Sequence, residues 1–479
     1  MDRTRLGLLI LAAVLRLGVA AAFPNLHHPD ESYQFFEQAH RLAFGYGVLP
    51  WEFEEGIRSM LLPALFAKLF SVLGALGASP YAYLFAARAL LACLSLVVVA
   101  SMYDYGRRIG PTHAIVGGLV AATWFELVYF SGRPLMEAIA TDFLLAALAL
   151  GSPRSRELRV PTLALIGGCA GACLMLRVQL APGLAVLLLG LCGTRLRARW
   201  LPVLAGAAVP IAVFGASDWI SWGSPFHSQI GAFRINYLAH KASHYGVEPV
   251  GWYLTTLLGT WWVASPLLIA LVAVRWRAQA LWIAVAVAIV ASHSLVPHKE
   301  YRFVFPAFAC LALVAAFGSA DLIERLRARF PRRGRAVLIA ACAAWVAGSA
   351  ALAAGPRYAF NWVTDRDLVN AEFVLYRQPT LCGLLLYSYP WYELGGYAFL
   401  HRNVPIYRRF SDVPLAVEER AANFALVRRS ELAELGPEYE AGACLGRGSP
   451  HDLCIVERRG ECIADPSLPS LLDTRRLGE

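Results

Sequence analysis

The chain has 479 residues, of which 58% are hydrophobic and only 16% are charged. Its mean hydropathy of +0.51 exceeds that of a soluble globular domain, so we expect lipid to be its main solvent. The net charge of +9 would suit nucleic acid, but the arginines gather at the ends of apolar segments instead of forming a basic face, which argues against that class.

Apolar stretches long enough to cross a hydrocarbon core recur along the chain. The clearest cover residues 251–274, 303–320 and 336–355, none of which contains a charged residue. The stretch at residues 6–22 starts like a signal peptide but lacks a convincing cleavage site, so we expect it to be retained. The others are residues 81–103, 114–130, 134–152, 160–176, 178–194, 200–217 and 279–296. About eleven spanning helices are therefore predicted.

Arginine clusters follow alternate ends of these segments and predict the topology. They lie, for example, at residues 107–108, 275–277 and 325–335, and the positive-inside rule assigns that side to the cytoplasm. The loop at 23–80, the loop at 218–250, the turn at 297–302 and the tail then face the other side. This parity requires that apolar residues 60–77 do not cross; Pro63, Lys68 and Gly74 favour a helix in the interface, although a shallow hairpin stays open.

The tail changes character after the last apolar stretch. Charges become dense, and short strand-like runs such as 381–388 and 452–457 alternate with turn residues, which predicts a small soluble α/β domain over 356–479, after a membrane module over 1–355. In an oxidising compartment its four cysteines could form two bridges, with Cys444 to Cys454 the easiest to form. The pairing is not determined by the sequence.

The first outer loop, residues 23–80, combines acidic, imidazole and aromatic side chains next to the membrane. His28, Asp30, Glu31, Trp51 and Glu52 are typical of a sugar site, since carboxylates accept hydrogen bonds from hydroxyls and aromatic faces cover a pyranose. One carboxylate can also act as general base toward an attacking hydroxyl. The alternative is a solvated acidic loop.

A cationic turn precedes the span at residues 303–320. His298, Lys299 and Arg302 lie at the depth of a lipid headgroup, where cations neutralise charge that develops on a phosphate leaving group. Ordinary snorkelling anchors are the alternative. The embedded Glu300 makes simple anchoring less favourable.

Other charged residues can have either a structural or a functional role. Arg133 and Glu137 are four residues apart and can pair along one helix face. Arg16 and Glu126 lie inside apolar segments, where a charge must face protein or water, and we expect a structural role for Arg16. The aromatic residues around Tyr245 are explained equally well as anchors in the interface.

Four ordered motifs resemble those of glycosyltransferase family 22, the α-mannosyltransferases of glycan and GPI-anchor assembly. They are HPDESYQ at 28–34, YGVLPWEFEEGIRSMLLP at 46–63, INYLAHKASHYGVEPVGWY at 235–253 and HKEYRFVFPA at 298–307. The similarity covers roughly residues 1–320. It implies the GT-C fold, an all-α polytopic membrane module, and transfer with inversion from a polyprenyl-phosphate sugar, usually dolichyl-phosphate mannose.

The resemblance also implies roles for individual residues. Asp30 would be the general base, with Glu31 orienting a substrate, and the donor phosphate would be bound by His298, Lys299 and Arg302. Further members of the sugar or acceptor pocket would be His28, Trp51, Glu52, Arg58, Tyr237, Tyr245 and Trp252. Roles for Arg133, Glu137 and Glu300 rest on their chemistry. Pro50 and Phe53 depart from the family pattern, which leaves the exact sugar open.

We therefore expect an inverting mannosyltransferase or similar hexosyltransferase whose partners are a polyprenyl-phosphate sugar, a glycan or glycolipid acceptor and membrane lipids. No metal or cofactor is expected, since cations on the turn can neutralise the phosphate. Alternatives are a related transferase that uses another lipid-linked sugar or a protein acceptor, a lipid-linked saccharide flippase, and a non-catalytic assembly subunit. Scarce lysine and abundant arginine and alanine favour a bacterial cytoplasmic membrane with the site facing outward, or the endoplasmic reticulum if the source is eukaryotic.

The prediction on which this interpretation depends is spatial. The carboxylate of Asp30 and the cationic turn at Lys299 should converge on one outward-facing cleft, because displacement at an anomeric carbon needs a base on one face and charge stabilisation on the other.

Overall fold

A computed structural model describes residues 2–151, 158–239, 241–409, 415–446, 448–465 and 468–472. In chain order its helices are α1 (Arg3–Ala22), α2 (Glu37–Phe44), α3 (Trp51–Glu54), α4 (Leu61–Ala75), α5 (Pro80–Leu94), α6 (Leu96–Arg107), α7 (Pro111–Thr123), α8 (Phe125–Phe130), α9 (Met136–Leu150), α10 (Val160–Leu176), α11 (Ala181–Cys192), α12 (Leu201–Trp222), α13 (His227–Phe233), α14 (Trp252–Trp261), α15 (Ser265–Val274), α16 (Ala280–Ser294), α17 (Phe305–Arg329), α18 (Gly334–Ala354), α19 (Arg366–Tyr376), α20 (Tyr397–Leu400) and α21 (Leu415–Ala421). The strands are β1 (Leu384–Leu386), β2 (Ile406–Arg408), β3 (Phe424–Arg428), β4 (Tyr439–Leu445) and β5 (Leu453–Arg458).

The apolar segments are helical, as predicted. Six helical runs among the described residues are long and apolar enough to cross a membrane: Arg3–Ala22, Pro80–Arg107, Leu196–Trp222, Trp252–Val274, Tyr301–Arg329 and Pro331–Ala354. Four shorter apolar helices cover Leu61–Ala75, Val160–Leu176, Val178–Cys192 and Ala280–Ser294. The total of eleven crossings stays a prediction. With 15 residues, α4 is about 22 Å long, shorter than a hydrocarbon core.

The chain divides into two compact units. The first comprises Met1–Ala20 and Arg88–Phe360, and the second comprises Ala21–Ala87 and Asn361–Glu479. Sequence placed a boundary near residue 355 and assigned the first outer loop to the membrane module. In three dimensions that loop belongs to the same compact unit as the tail.

The first unit is a helical assembly whose buried charges are satisfied by protein. Arg16 on α1 is 1% exposed and donates to the Ser95 hydroxyl at 2.9 Å, to the Ala121 carbonyl at 2.9 Å and to the Ala122 carbonyl at 3.1 Å. It therefore ties α1 to the α5–α6 junction and to α7. The structural role expected for Arg16 fits these contacts, because an arginine in lipid must bond inside the protein.

One predicted span is broken. Residues 114–130 were expected to form one helix, but Trp124 adopts an extended conformation (φ −60°, ψ 123°) between α7 and α8. The fully buried Glu126 accepts the indole N–H of Trp124 at 2.8 Å and that of Trp261 at 3.3 Å. These side-chain bonds hold the two indoles against the carboxylate at the break.

The second unit carries a five-stranded mixed sheet, with strand order β2-β1-β3-β5-β4. β1 pairs in parallel with β2 and β3, whereas β5 pairs antiparallel with β3 and β4. The α/β character predicted for the tail is therefore confirmed. Disulfides join Cys382 to Cys462 and Cys444 to Cys454, and the second is the pair that the sequence favoured.

The hydrophobic core of the second unit draws on both of its chain stretches. Tyr33 and Val48 from the first outer loop pack in one cluster with Leu384, Tyr397 and Leu426 from the tail. Because residues this distant in sequence share one core, the acid-rich loop and the sheet domain form a single packed structure.

Small residues allow α10 and α12 to approach closely, as is common between membrane helices. A Cβ at Gly167 would lie 2.7 Å from the carbonyl carbon of Val203 and overlap its oxygen, whereas one at Gly168 would lie 3.7 Å from the Gly206 oxygen. We therefore expect Gly167→Ala to reduce the free energy of unfolding by roughly 1–3 kcal/mol. Thermal unfolding in detergent measures it, with Gly168→Ala as the matched control; equal stability of the two variants would contradict this packing.

Candidate functional site

The acid motif lies in the second unit, where the chain leaves an extended segment and enters a π-helical turn. The turn covers Glu31–Phe36 and leads directly into α2; such turns are rare and frequent at functional sites. The His28 Nδ1 atom lies 3.3 Å from the Asp30 Oδ1 atom, and it also accepts the backbone N–H of Asp30 at 3.2 Å. His28 therefore contacts both the backbone and the side chain of Asp30.

Burial separates the two adjacent acids. The side chain of Asp30 is 20% exposed, whereas Glu31 is fully buried and its Oε1 atom accepts the backbone N–H of His27 at 2.9 Å. A base must reach the proton that it removes. Asp30 meets this requirement, and Glu31 holds the shape of the turn.

The structure brings a second group of predicted residues to the same part of the second unit. Glu52, on α3, accepts the amide N–H of Gln34 at 3.1 Å and lies 3.6 Å from a guanidinium nitrogen of Arg58. Burial raises the pKa of Glu52, the Arg58 guanidinium lowers it, and the Asp30 carboxylate raises it. This last effect shows that Asp30 and Glu52 lie within electrostatic reach of one another. Trp51 begins the same short helix.

Asp365 is a residue of the acid cluster that sequence reasoning missed. It precedes α19 in a left-handed conformation (φ 53°), which is strained for a non-glycine residue. Burial, followed by the carboxylates of Glu393 and Glu31, raises its pKa to about 7, while His28 lowers it. The one hint in the sequence was the charged run that begins directly after the last apolar stretch.

Glu37 is a second buried acid next to the motif. Both of its oxygens accept backbone N–H groups, from Val48 at 2.7 Å and from Ala398 at 2.8 Å. Burial raises the pKa of Glu37 to about 7, although these N–H groups act in the opposite direction. Sequence placed Glu37 in the acidic loop without assigning it a role.

The predicted cationic turn lies in the first unit, at the start of α17. Glu300 accepts from Arg302 Nε at 2.6 Å, and its other oxygen lies 2.9 Å from His298 Nε2. Arg302 is 5% exposed. The carboxylate thus holds the imidazole and the guanidinium in a fixed relation.

Lys299 makes contacts that sequence did not anticipate. Its ammonium group donates to the carbonyls of Val296 at 2.5 Å, Glu248 at 3.0 Å and Pro297 at 3.4 Å. The bond to Glu248 joins the turn to the loop before α14, and the other two are local to the turn. A direct bond from Lys299 to a phosphate would require releasing one of these carbonyls, so its expected role as a phosphate ligand stays a prediction.

A buried ion pair extends this cluster and includes Arg177, which sequence reasoning missed. Glu137 is 2% exposed; its Oε1 atom lies 2.9 Å from Arg177, and its Oε2 atom lies 3.9 Å from Arg302. Arg177 also lies over the Phe303 ring at 4.5 Å. One feature of the sequence could have indicated it: Arg177 is a single arginine between two apolar segments, at the end of them that is predicted to face outward. Arg133, the partner proposed for Glu137, lies over the Tyr129 ring at 4.0 Å.

The aromatic loop before α14 contributes less defined contacts. The Tyr245 ring lies 6.1 Å from the His298 ring, and Trp252 packs edge-on against Tyr253. The backbone of Tyr237 lies in a π-helical turn at Arg234–Leu238, but its side chain is outside the described part of the structure. The Tyr245 ring thus contacts the cationic turn.

The Glu137–Arg177 pair predicts a measurable coupling. Removing one member leaves a buried charge without its partner, so Glu137→Gln and Arg177→Gln should each lower the unfolding temperature in detergent. The loss of unfolding free energy in the double variant should be smaller than the sum of the losses in the two single variants, and the difference, the coupling energy, should be roughly 0.5–3 kcal/mol. Strict additivity in this double-mutant cycle would contradict the ion pair.

Comparison with known proteins gives a consistent result. A model of the Alg9-like mannosyltransferase family matches residues 8–363. GPI mannosyltransferase 3 of Yarrowia lipolytica is 28% identical over 85% of this chain and 77% of its own length. GPI alpha-1,2-mannosyltransferase 3 of Xenopus laevis is 28% identical over 66% of this chain and 60% of its own length. This chain thus spans less than two thirds of the Xenopus relative.

Among solved structures, ArnT from Cupriavidus metallidurans bound to undecaprenyl phosphate superposes with a TM-score of 0.59. It has 14% sequence identity, and the match covers 94% of this chain and 97% of that chain. The likeness shows a shared fold, that of the GT-C enzymes.

Proposed function

Because the chain belongs to the Alg9-like mannosyltransferase family, and is therefore a membrane glycosyltransferase, we propose that it transfers a mannosyl residue from a polyprenyl-phosphate donor to a glycan or glycolipid acceptor with inversion. The names of its relatives support the sugar. A lipid-phosphate ligand is present in the ArnT structure that shares the fold. The proposed site faces the non-cytoplasmic side, as the arginine distribution favours.

The observation that carries the proposal is the contrast between Asp30 and its neighbours. It is a partly exposed carboxylate in contact with the His28 imidazole, next to the fully buried Glu31. Such a carboxylate can take the proton of an acceptor hydroxyl. The hydroxyl oxygen then bonds to the anomeric carbon, and the bond from that carbon to the phosphate oxygen breaks with its electron pair leaving on the phosphate.

The departing phosphate needs positive charge. Arg302 and His298, held together by Glu300, would supply it through charge-assisted hydrogen bonds, and Lys299 would fix the backbone of their turn. Since these side chains can neutralise the leaving group, we propose transfer without a metal or cofactor. Glu52 and Arg58 would bind sugar hydroxyls next to Asp30.

The proposed base is tested by Asp30→Asn. The amide keeps the size of the side chain but cannot accept the proton, so turnover should fall by about 10²–10⁴-fold with the fold retained. The assay measures sugar transfer from polyprenyl-phosphate mannose to a lipid-linked acceptor in proteoliposomes. Glu55→Gln, at an exposed carboxylate of the same loop, is the control. Wild-type rates in Asp30→Asn would remove the assignment.

The phosphate-binding turn is tested by Arg302→Gln. Loss of the guanidinium should raise the KM for the donor roughly 10- to 100-fold, since a hydrogen bond to a charged group is worth about 1.5–3 kcal/mol. The KM for the acceptor should stay near the wild-type value. Arg325→Gln, at an exposed arginine of helix α17, which follows the turn, is the control. An unchanged donor KM and turnover would exclude this phosphate site.

A further inference from the structure

The acid motif is anchored on both sides by residues from the tail. Before the motif, Asn25 donates to the Asn361 carbonyl at 2.8 Å, and the Phe23 ring lies 5.1 Å from the ring of Trp362. After the motif, the Tyr33 hydroxyl donates to the Trp391 carbonyl at 2.7 Å. Residues 26–32, which include Asp30, therefore lie between two attachment points.

Further contacts after the motif centre on a tight segment of the tail, residues 395–398, which we name the glycine turn. Glu37 accepts the backbone N–H of Ala398 at 2.8 Å, and Glu372 on α19 accepts that of Gly395 at 2.8 Å. The Ser32 hydroxyl donates to the Gly395 carbonyl. Glu37 and Glu372 are both fully buried. Two carboxylates thus hold one short stretch of backbone.

The geometry requires glycine at this point. Gly396 has a φ of +77°, and a Cβ there would lie 2.8 Å from the Glu37 Oε2 atom. A Cβ on Gly395 would overlap the ring of Phe399 and lie 2.7 Å from the Glu372 Oε2 atom. Side chains at either position would push the carboxylates away, so the two glycines and the two acids belong to one arrangement.

Packing alone does not account for the carboxylates. Aromatic contacts already join the same elements, since the Phe36 and Phe399 rings lie 6.1 Å apart, and a buried carboxylate carries a desolvation cost that an apolar side chain avoids. A carboxylate also imposes directional contacts, because each of its two oxygens accepts a hydrogen bond from a particular backbone N–H and so fixes the position of that group. Glu37 is the first residue of α2, immediately after the π-helical turn that begins with Glu31. The position of Glu37 therefore sets the position of that turn.

We propose that Glu37 and Glu372 are positioning residues for the transfer reaction: by holding the glycine turn between them, they fix the orientation of Asp30. This inference rests on the proposed function of Asp30 as base. It makes the tail domain part of the catalytic structure, although Glu372 and the glycine turn lie beyond residues 8–363, where the family match is found.

The test is Gly396→Ala, with Gly77→Ala as the matched control. Gly77 belongs to the same unit and has a φ of +76°, but a Cβ there meets nothing within 4 Å. Both variants place an alanine at positive φ, with additional strain at Gly396 from its ψ of −162°, and only Gly396→Ala displaces the Glu37 carboxylate. We expect kcat of Gly396→Ala to fall about 100-fold, as for a catalytic group misplaced by about 1 Å, with the donor KM unchanged.

A compensating change separates positioning from simple loss of structure. Glu37→Asp shortens the side chain by one methylene and makes room for the added methyl, so Gly396→Ala with Glu37→Asp should recover much of the lost kcat. Recovery would support the inference. A kcat for Gly396→Ala equal to that of Gly77→Ala would overturn it, as would a loss that Glu37→Asp does not restore. If Gly396→Ala does not fold, Glu37→Gln replaces it, and wild-type kcat in that variant overturns the inference.

Hydrogen–deuterium exchange distinguishes failure of this inference from failure of the proposed function. In Gly396→Ala the backbone amides of residues 26–36 should exchange faster than in Gly77→Ala, whether or not sugar is transferred. If the wild type transfers no sugar but Gly396→Ala still shows faster exchange, the proposed function is rejected, while the glycine turn is shown to hold the motif. Unchanged exchange in residues 26–36 would overturn the positioning role in an active enzyme.

Discussion

Hydrocarbon offers no hydrogen-bond partner, and this constraint determines how the first unit is organised. Each buried charge described above is paired within the protein: Arg16 with a hydroxyl and carbonyls, Glu126 with two indoles, and Glu137 with Arg177. A further group joins Asp321 to Arg275 at 2.5 Å and to His113 at 2.8 Å. Apart from the bond between Trp124 and Glu126, these contacts join segments that are distant in sequence.

The second unit is stabilised differently, because its two stretches of chain pack against one another. The first outer loop supplies Tyr33 and Val48 to the core of the sheet domain, and the tail returns backbone contacts to both sides of the acid motif. The family model matches residues 8–363. A loop that carries proposed catalytic groups is thus stabilised by chain outside the matched region.

Sequence predicted those features that depend on composition and on local pattern. Hydropathy located the apolar helices, and motif chemistry grouped Asp30 with Glu52 and His298 with Arg302, as the structure has them. It could not find Asp365 or the tail's contacts, because these depend on pairs of residues hundreds of positions apart. The interruption at Trp124 was missed for a related reason: its cause is a carboxylate shared with a distant tryptophan, Trp261.

Lys299 shows a second limit of sequence reasoning. A lysine in a cationic turn suggests a phosphate ligand, and nothing local indicates that its ammonium group instead meets three carbonyls. Every residue has a backbone carbonyl, so the identities of the residues do not reveal which carbonyls a side chain will bond to. The pair of Arg302 and Glu300, by contrast, joins two charged side chains, which residue identity can suggest.

The long separation between the acid motif and its supports has a consequence for biosynthesis. Asn25 and Asn361 are 336 positions apart, so at about 5–20 residues per second a ribosome takes roughly 15–70 s to make the second after the first. During that interval the nascent loop lacks the tail residues that contact it in the folded unit. The core of the second unit can therefore be completed only late in synthesis, after the sheet domain has emerged and packed against a segment made near the beginning.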